Sequence, residues 1–308
     1  MLVDGHCDTI REAWKRNLSL TDNLLNFNIT EAKMPMIQMM AIYISPEEAK
    51  EGYETAEKMI KKLKKEIDQY KNKIIQIDTK KKIDKIGKDK IGMILTIENG
   101  SAIEGNLENI DKLYHTGIRM MSIVWNESNE LASGALEKED KGLTQLGKQY
   151  IKHLNKKKII VDVSHSSQKT FWDVAKISNR PIIASHSCVY QLCHHPRNLT
   201  DDQIKQIAKS NGIIGIAFCN QFLNENKKAT VEDIVNHIKY ITNLVGVDYV
   251  GIGSDFDGLD EEDILPDIKG IKDIYLIEIA LRKSGFRQNE IEKILGENWI
   301  RILKENIE

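Results

Sequence analysis

The residues of this 308-residue chain that could do chemistry are histidines and carboxylates placed after apolar runs. His6 and Asp8 close the first such run, two positions apart. Side chains two apart on a strand point to the same face, so this imidazole and this carboxylate should converge. Such a pair is half of a metal site. Because His-x-Asp also occurs by chance, the pair gains meaning only if further ligand residues lie later in the chain.

Four more residues of these types fall at the ends of later apolar runs. Glu98 closes the third run, His165 follows the fifth, and His186 and Asp255 close the sixth and eighth. Three histidines and three carboxylates exceed what one tetrahedral zinc needs. The number suits two ions with a bridging carboxylate and one carboxylate left for proton transfer. This set predicts a hydrolase site, and nothing in it would carry hydride or phosphoryl transfer by itself.

The elements that must position these residues form a regular series. The apolar runs of strand length lie at 2–8, 37–44, 91–98, 118–125, 158–164, 181–186, 212–219 and 248–255. Segments with helical periodicity lie between them, at 105–116, 144–156, 167–178, 201–210 and 230–245. Alternating strands and helices predict an α/β fold, a (β/α)8 TIM barrel whose catalytic residues lie at the carboxyl ends of the strands. A doubly wound open sheet would alternate too, but no Gly-x-Gly-x-x-Gly follows an early strand.

Three segments depart from this pattern. Residues 10–35 predict a loop and a helix over the barrel mouth. The Lys- and Glu-rich helix at 47–73 carries apolar residues at helical spacing, which favours a solvated outer helix over a nucleic-acid surface. The tail predicts helices at 270–285 and 288–305, the second capped by Asn289 and held to the barrel by Trp299.

Composition excludes some classes of protein. A net charge of -2 gives no field that favours nucleic acid or membrane. No apolar segment approaches about 20 residues, so neither a signal peptide nor a spanning helix is expected. Four scattered cysteines are too few for a disulfide framework, and an intracellular protein is predicted.

Two other candidate sites, a cysteine-histidine cluster and two serine-histidine pairs, are less well supported by the sequence. The cluster Cys188-x4-Cys193-His194-His195 matches no standard structural zinc spacing. Ser164-His165 and Ser185-His186 could suggest serine nucleophiles. Because adjacent strand residues point to opposite faces, neither serine is expected to pass its proton to its own neighbour.

Six ordered motifs resemble the membrane (renal) dipeptidase family of zinc metallopeptidases, from residue 3 to about 303. They are Asp4-Gly5-His6-Cys7-Asp8-Thr9, Thr96-Ile97-Glu98-Asn99-Gly100, Asp162-Val163-Ser164-His165, Ser185-His186-Ser187, His195-Pro196-Arg197-Asn198 and Gly253-Ser254-Asp255-Phe256-Asp257-Gly258. Each motif alone is weak, but the ordered set is specific. The closing Gly296-Glu297-Asn298-Trp299 belongs to the same resemblance.

The resemblance implies a binuclear site with two Zn²⁺ ions per subunit and a hydroxide that bridges them. His6 and Asp8 would hold the first zinc, His165 and His186 the second, and Glu98 would bridge the pair as a catalytic ligand. Asp255 would be the general acid/base, and Arg197 would bind the C-terminal carboxylate of the substrate. The resemblance also implies a homodimer and tolerance of a D-residue at the C-terminal position.

Two departures bear on the substrate. Trp125, followed by Asn126, stands where mammalian-type members have a histidine thought to stabilise the oxyanion. The seventh run ends at Cys219, where members often have a tyrosine that could contact substrate. We therefore expect Trp125, Asn126 and Cys219 to line the substrate pocket and to alter its preference.

The sequence thus predicts a cytoplasmic, zinc-dependent dipeptidase that forms a single barrel domain over 1–308. Its partner would be a dipeptide, either L,L or L,D, and neither nucleic acid nor membrane. Two alternatives stay open. The same barrel could open a lactam, lactone or cyclic amide, or it could be a metal-binding scaffold without activity.

Overall fold

A parallel sheet forms the centre of the computed structural model, which describes residues 1–32 and 35–308. The strands within these residues are β1 (Leu2–Cys7), β2 (Met36–Tyr43), β3 (Ile74–Gln76), β4 (Ile91–Glu98), β5 (Ile118–Ser122), β6 (Ile160–Asp162), β7 (Ile182–Ile183), β8 (Ile214–Ile216) and β9 (Val250–Ile252). The eight predicted runs are confirmed as strands, although most are shorter than predicted.

The sheet closes into a barrel. Its order is β7-β6-β5-β4-β2-β1-β9-β8, with every pairing parallel. The two ends of this order meet through Ala184, whose N–H donates to Ile213 O at 3.0 Å and whose carbonyl accepts from Gly215 N at 2.8 Å. The predicted (β/α)8 barrel is therefore confirmed.

Strand β3 was not predicted. It pairs with the first residues of β4, with Ile74 opposite Ile91, and stands off the path of the barrel. Three residues are too few to show a period in sequence, and β3 directly follows the long charged helix.

Helices surround the barrel. They are α1 (Thr9–Lys15), α2 (Gly52–Gln69), α3 (Lys80–Ile83), α4 (Glu108–Thr116), α5 (Gln145–Lys157), α6 (Gln168–Ile177), α7 (Asp201–Lys209), α8 (Asn220–Leu223), α9 (Val231–Val245), α10 (Tyr275–Lys283), α11 (Gln288–Glu292) and α12 (Asn298–Asn306). Helix α2 buries Met59, Ile60 and Leu63, which confirms it as an outer barrel helix. In residues 1–32 and 35–308, none of the helices is both long and apolar enough to cross a membrane.

The segment predicted to cover the barrel mouth, residues 10–35, contains less helix than predicted. Helix α1 is short, and turns follow it as far as Glu31. The carboxylate of Asp257 attaches this segment to the loop after β9, because it accepts from the N–H groups of Asn26 (2.7 Å) and Phe27 (3.1 Å). Lys33 and Met34, which the predicted segment includes, lie outside the described residues.

The C-terminal segment from Gln288 to Asn306 packs against the barrel. Helix α11 continues through a π-helical turn (Lys293–Glu297) into α12. The predicted cap at Asn289 is wrong, because α11 begins at Gln288, after Arg287, whose N–H donates to Glu290. Trp299 is fully buried as predicted, and its Nε1 donates to Ile252 O at 2.9 Å.

Candidate active site

Six predicted side chains come together at the carboxyl ends of the barrel strands. His6 lies on β1, Glu98 ends β4, and the others follow β1, β6, β7 and β9 within three residues. All of them are buried: His6, Asp8, Glu98, His165, His186 and Asp255. The apolar strands bring these residues to one face because parallel strands end on the same side of the barrel.

The first group surrounds His6 Nε2. Asp8 Oδ2 and Glu98 Oε2 each lie 3.3 Å from this atom, and Asp255 Oδ1 lies 3.8 Å away. His6 and Asp8 therefore converge as predicted, although Asp8 lies just beyond the end of β1. One nitrogen and several carboxylate oxygens within this distance could surround a single cation.

The second group lies on the other side of Glu98. His165 Nε2 is 2.9 Å from Glu98 Oε1 and 2.8 Å from His186 Nε2. His186 Nε2 is 3.8 Å from the same Glu98 oxygen. Each carboxylate oxygen of Glu98 thus faces a different group, which is the arrangement that a bridging ligand needs.

Burial and neighbouring charge set the protonation of these groups. Burial would raise the pKa of Glu98, but His6 and His165 hold it well below its ordinary value. Burial, reinforced by the positive charge of Arg197, lowers the pKa of His165 to about 3, and burial also holds the pKa of His186 well below normal. A carboxylate and neutral imidazoles, as at Glu98, His165 and His186, are the forms in which these side chains bind metal ions. Burial would lower the pKa of His6 too, but the charges of Glu98 and Asp8 hold it well above its ordinary value.

Asp255 differs from Glu98, and so does Asp8, whose pKa burial raises to about 8. Burial raises the pKa of Asp255 to about 6, with a further contribution from the charge of Glu98, while His6 and Arg197 oppose the shift. A carboxyl group that titrates near neutral pH can both give and take a proton.

The loops at the strand ends adopt an uncommon backbone conformation. His165 has φ 67° and Asp255 has φ 65°, in the left-handed region where histidine and aspartate are tolerated better than most residues. Long-range hydrogen bonds hold both turns: Ala135 N donates to His165 O at 2.7 Å, and Asp255 N donates to His6 O at 3.2 Å. The side chains are therefore aimed by tertiary contacts rather than by the strands alone.

Ser185 lies beneath two of the histidines. Its Oγ is 2.8 Å from His186 Nδ1, so the two neighbours are in contact, although adjacent strand residues were expected to point to opposite faces. Strand β7 ends at Ile183, and the alternation of side chains does not extend to Ser185 and His186. The serine is fully buried and donates to Asp162, which leaves it no access to a substrate.

Trp125 and Asn126 stand beside His165. The Trp125 ring lies between the rings of Tyr43 (centroids 5.3 Å apart) and His165 (5.9 Å), and Asn126 Oδ1 is 2.8 Å from His165 Nδ1. Asn126 therefore orients a histidine as well as lining the cavity. Sequence reasoning missed this contact and also missed Tyr43, although a polar residue at the end of β2 was a usable signal.

A cavity of about 660 Å³ opens above the six side chains. Asp8, Glu98, His165 and Asp255 form its floor, and Trp125, Asn126 and Cys219 also line it. Arg11 and Glu12 line it from α1 and Arg16 from the position directly after this helix, and Asp257, Asp260, Glu261 and Asp263 line it from the loop after β9. The space is sufficient for a small molecule of dipeptide size.

Arg197 is placed differently from the other predicted residues. It is 3 % exposed and is not among the side chains that line the cavity. Its Nη2 lies 3.4 Å from His186 O, and its Nε is buried without a partner among the described residues. The guanidinium thus lies behind the site, with donors still available.

The donor set fits divalent cations. Asp8 Oδ1 is a buried carboxylate oxygen without a hydrogen-bond partner among the described residues. An unpaired buried oxygen is costly unless a cation or water satisfies it. The groups His6–Glu98–His186 and His6–Asp8–Asp255 each bring three ligand atoms within 4.8 Å of one another. Nitrogen and oxygen donors of this kind are those of zinc sites.

The cysteine cluster already has other partners. Cys188 Sγ donates to Ala217 O, Cys193 Sγ donates to Gln221 O, and His194 Nδ1 pairs with Glu225 at 2.6 Å. The two thiols therefore donate to two different carbonyl oxygens and share no partner through these contacts.

A known protein family resembles this chain over its whole length. The family described as membrane dipeptidase (peptidase family M19) matches residues 1–308. An uncharacterized protein in the pqqA 5′ region of Klebsiella pneumoniae is 37% identical over 233 residues, which are 72% of this chain and 85% of that protein. A dipeptidase, tcpJ, of Claviceps purpurea is 32% identical over 208 residues, 65% of this chain and 48% of that protein.

Solved structures share the fold. A metallo peptidase from Rhodobacter sphaeroides, liganded with a phosphinate mimic of the dipeptide L-Ala-D-Ala, superposes with a TM-score of 0.89 at 24% identity, over 100% of this chain and 99% of its own. The probable dipeptidase PvdM from Pseudomonas aeruginosa superposes with a TM-score of 0.85 at 22% identity, over 96% and 97%. At these identities the likeness shows the barrel fold.

Proposed function

We propose that this chain, which belongs to the membrane dipeptidase family (peptidase family M19), hydrolyses dipeptides with the help of two zinc ions. The observation that carries the proposal is the position of Glu98. One oxygen faces His6 and the other faces His165, so a single carboxylate stands between two sets of ligand atoms.

The residues divide into two sets around that carboxylate. His6 and Asp8 would hold the first zinc, His165 and His186 the second, and Glu98 would belong to both. When bound, two such ions supply a hydroxide nucleophile at neutral pH by lowering the pKa of a shared water, and they polarise the scissile carbonyl. The buried oxygen of Asp8 without a partner supports its place in the first set.

Asp255 would move the proton. It lines the cavity 3.8 Å from His6, and its raised pKa of about 6 suits a group that accepts a proton from water and passes it to the leaving amine. The carboxylate of Asp255 would therefore face the scissile bond.

Arg197 would hold the substrate carboxylate. Its buried guanidinium has an unpaired Nε, and a planar fork of N–H donors suits a carboxylate. For this contact the side chain must reach past His186 into the cavity.

Substrate choice would include L,L- and L,D-dipeptides. The similar metallo peptidase from Rhodobacter sphaeroides binds a mimic of L-Ala-D-Ala. The broad indole of Trp125 beside His165 narrows the cavity at the position where the reacting carbonyl would lie, and Cys219 lines it with a small, buried thiol. Trp125 would favour small substrate residues on its side of the cavity, whereas Cys219 leaves more room on its own side than a tyrosine would.

The test is a substrate screen after metal exchange. The protein is stripped with a chelator, reloaded with zinc, and assayed against Gly-D-Ala, L-Ala-D-Ala, matched L,L-dipeptides and one β-lactam. We expect hydrolysis of at least one dipeptide, abolished by the chelator and restored by zinc. Full metal binding without turnover of any dipeptide would refute the proposal.

A second candidate function is hydrolysis of a cyclic amide, a lactam or a lactone by the same groups. The observation in its favour is that Arg197 does not line the cavity, since such substrates have no carboxylate to bind. Including one substrate of each kind in the screen separates the two functions.

The cytoplasmic location and the homodimer stay predictions of the sequence and of its family resemblance. Gel filtration with light scattering would measure the oligomeric state directly.

A further inference from the structure

The hydroxyl of Ser185 contacts one histidine from each of the two ligand groups, namely His186 and His6. Its Oγ lies 2.8 Å from His186 Nδ1 and 3.3 Å from His6 Nδ1. The Nε2 atoms of the same two rings point the other way, toward Glu98. A single buried hydroxyl therefore stands behind a ligand of each proposed ion.

The hydrogen-bonding capacity of a hydroxyl limits what this contact can be. A serine hydroxyl has one proton to donate and two lone pairs that accept. Asp162 Oδ2, at 2.5 Å, takes the proton. The other oxygen of Asp162 already accepts from the N–H groups of Ser164 and Ser185, each at 3.0 Å.

With its proton committed to Asp162, Ser185 can only accept from the two rings. Each ring must then carry its proton on Nδ1, which leaves the Nε2 lone pair free for a cation. Ser164 Oγ, which accepts from His186 N at 3.2 Å, lies 3.3 Å from Ser185 Oγ, as far as His6 Nδ1 does, and is the donor that competes with His6 for the second lone pair.

We propose that Ser185 and Asp162 form a positioning pair that sets His6 and His186 in the metal-binding tautomer, so that one hydroxyl serves both proposed zinc sites. The inference rests on the proposed function only in that the site binds two ions. It adds that the two sites share a hydrogen-bond relay beneath them as well as the carboxylate of Glu98 between them.

The first test compares Ser185→Ala with a matched control, Ser187→Ala. Ser187 is equally buried and follows His186, and its hydroxyl has no hydrogen-bond partner among the described residues. Removing a partner of this kind lowers metal affinity by roughly 10- to 100-fold. We expect that loss for both zinc ions in Ser185→Ala, measured by competition with a chromophoric chelator, and no loss in Ser187→Ala. Equal affinities in the two variants would overturn the inference.

Asp162→Asn tests the direction of the hydrogen bonds through Ser185, because asparagine has nearly the same volume as aspartate. An asparagine whose oxygen keeps the two backbone N–H bonds presents its NH₂ group to Ser185. The serine must then accept from it and turn its own proton toward one ring, which moves that ring's proton to Nε2. We expect one of the two zinc ions to bind roughly 10- to 100-fold more weakly. Unchanged affinity for both ions would contradict the relay.

A third test uses the wild-type protein and so does not depend on whether a substituted protein folds. Long-range ¹H–¹⁵N spectra of the zinc-loaded enzyme should show the ring protons of His6 and His186 on Nδ1. A proton on Nε2 in either ring would refute the inference. A wild-type protein that binds no zinc would instead count against the proposed function, so the two failures are distinguishable.

Discussion

The Nε2 atoms of His165 and His186 lie 2.8 Å apart, just after the neighbouring strands β6 and β7. Asn126 accepts from the Nδ1 of the first ring, and Ser185 stands at the Nδ1 of the second. With the ring protons on both Nδ1 atoms, as the proposed relay sets for His186, the two Nε2 atoms present lone pairs to each other. Two lone pairs at this distance repel unless a cation lies between or beside them.

Zinc should therefore stabilise the fold. We expect the chelated protein to unfold at a lower temperature than the zinc-loaded protein, because an ion that binds only the folded state adds about 2.7 kcal/mol at 100 times its Kd. Differential scanning calorimetry at several zinc concentrations checks this. Magnesium at the same concentrations is the control, and equal effects of the two ions would argue against a nitrogen-rich site.

Arg197→Met should raise KM for dipeptides. Losing a charge-assisted hydrogen bond costs roughly 1.5–3 kcal/mol, about 10- to 100-fold in KM, with a smaller effect on kcat. Steady-state kinetics with L-Ala-D-Ala and with its C-terminal amide separate this role from a structural one. The amide lacks the carboxylate, so its KM should not change. An unchanged KM for the dipeptide itself would favour the cyclic-amide function.

Asn126→Ala should weaken zinc binding more than it changes KM. The side chain holds the Nδ1 of His165 at 2.8 Å, and partners of ligand histidines contribute roughly 10- to 100-fold to metal affinity. Glu127→Gln, at the next and exposed position, is the control. A rise in KM with full zinc affinity would show that Asn126 acts on the substrate alone.

His237 should make stability depend on pH. This ring is 1 % exposed; its Nδ1 accepts from Val189 N at 2.9 Å and its Nε2 donates to Leu223 O at 3.0 Å. Burial lowers its pKa to about 4, against about 6.5 in the unfolded chain. Between these values only the unfolded state takes up the proton, so the contribution is complete above about pH 6.5 and falls by up to about 3 kcal/mol as the pH drops to 4.

Urea denaturation across pH 4 to 8 measures that contribution. The loss of stability on acidification should be smaller in His237→Gln than in the wild type. His115→Gln, on the exposed face of α4, is the control for the loss of a histidine. Parallel profiles for His237→Gln and the wild type would mean that His237 is protonated in the folded state.

Asp257→Asn should loosen the segment over the barrel mouth. The carboxylate accepts from Thr9 Oγ1 at 2.5 Å and from two backbone N–H groups, and an amide cannot accept at both of its positions. An unpaired donor costs about 1–3 kcal/mol. We expect faster proteolysis between Asn17 and Ala32 and a lower unfolding midpoint. Asp260→Asn, at an exposed position of the same loop, is the control.

The barrel and the residues at its mouth could be predicted from the order of amino acids alone. Apolar runs of strand length are a local property, and parallel strands must end on one side, so His6, Glu98, His165, His186 and Asp255 could be placed together. Helix α2 was equally predictable, since its period separates buried Met59 from exposed lysines. Strand β3 was not predictable, because three residues show no period.

The arrangement of the site, in contrast, depends on the three-dimensional structure. The left-handed turns at His165 and Asp255 depend on hydrogen bonds from distant residues, and the rule of alternating faces fails once a strand has ended. For this reason the contact of Ser185 with two histidines, the contact of Asn126 with His165 and the position of Arg197 behind the cavity could not be predicted from residue types. Side-chain identity and order are local information, whereas the direction in which a loop residue points depends on every strand packed around it.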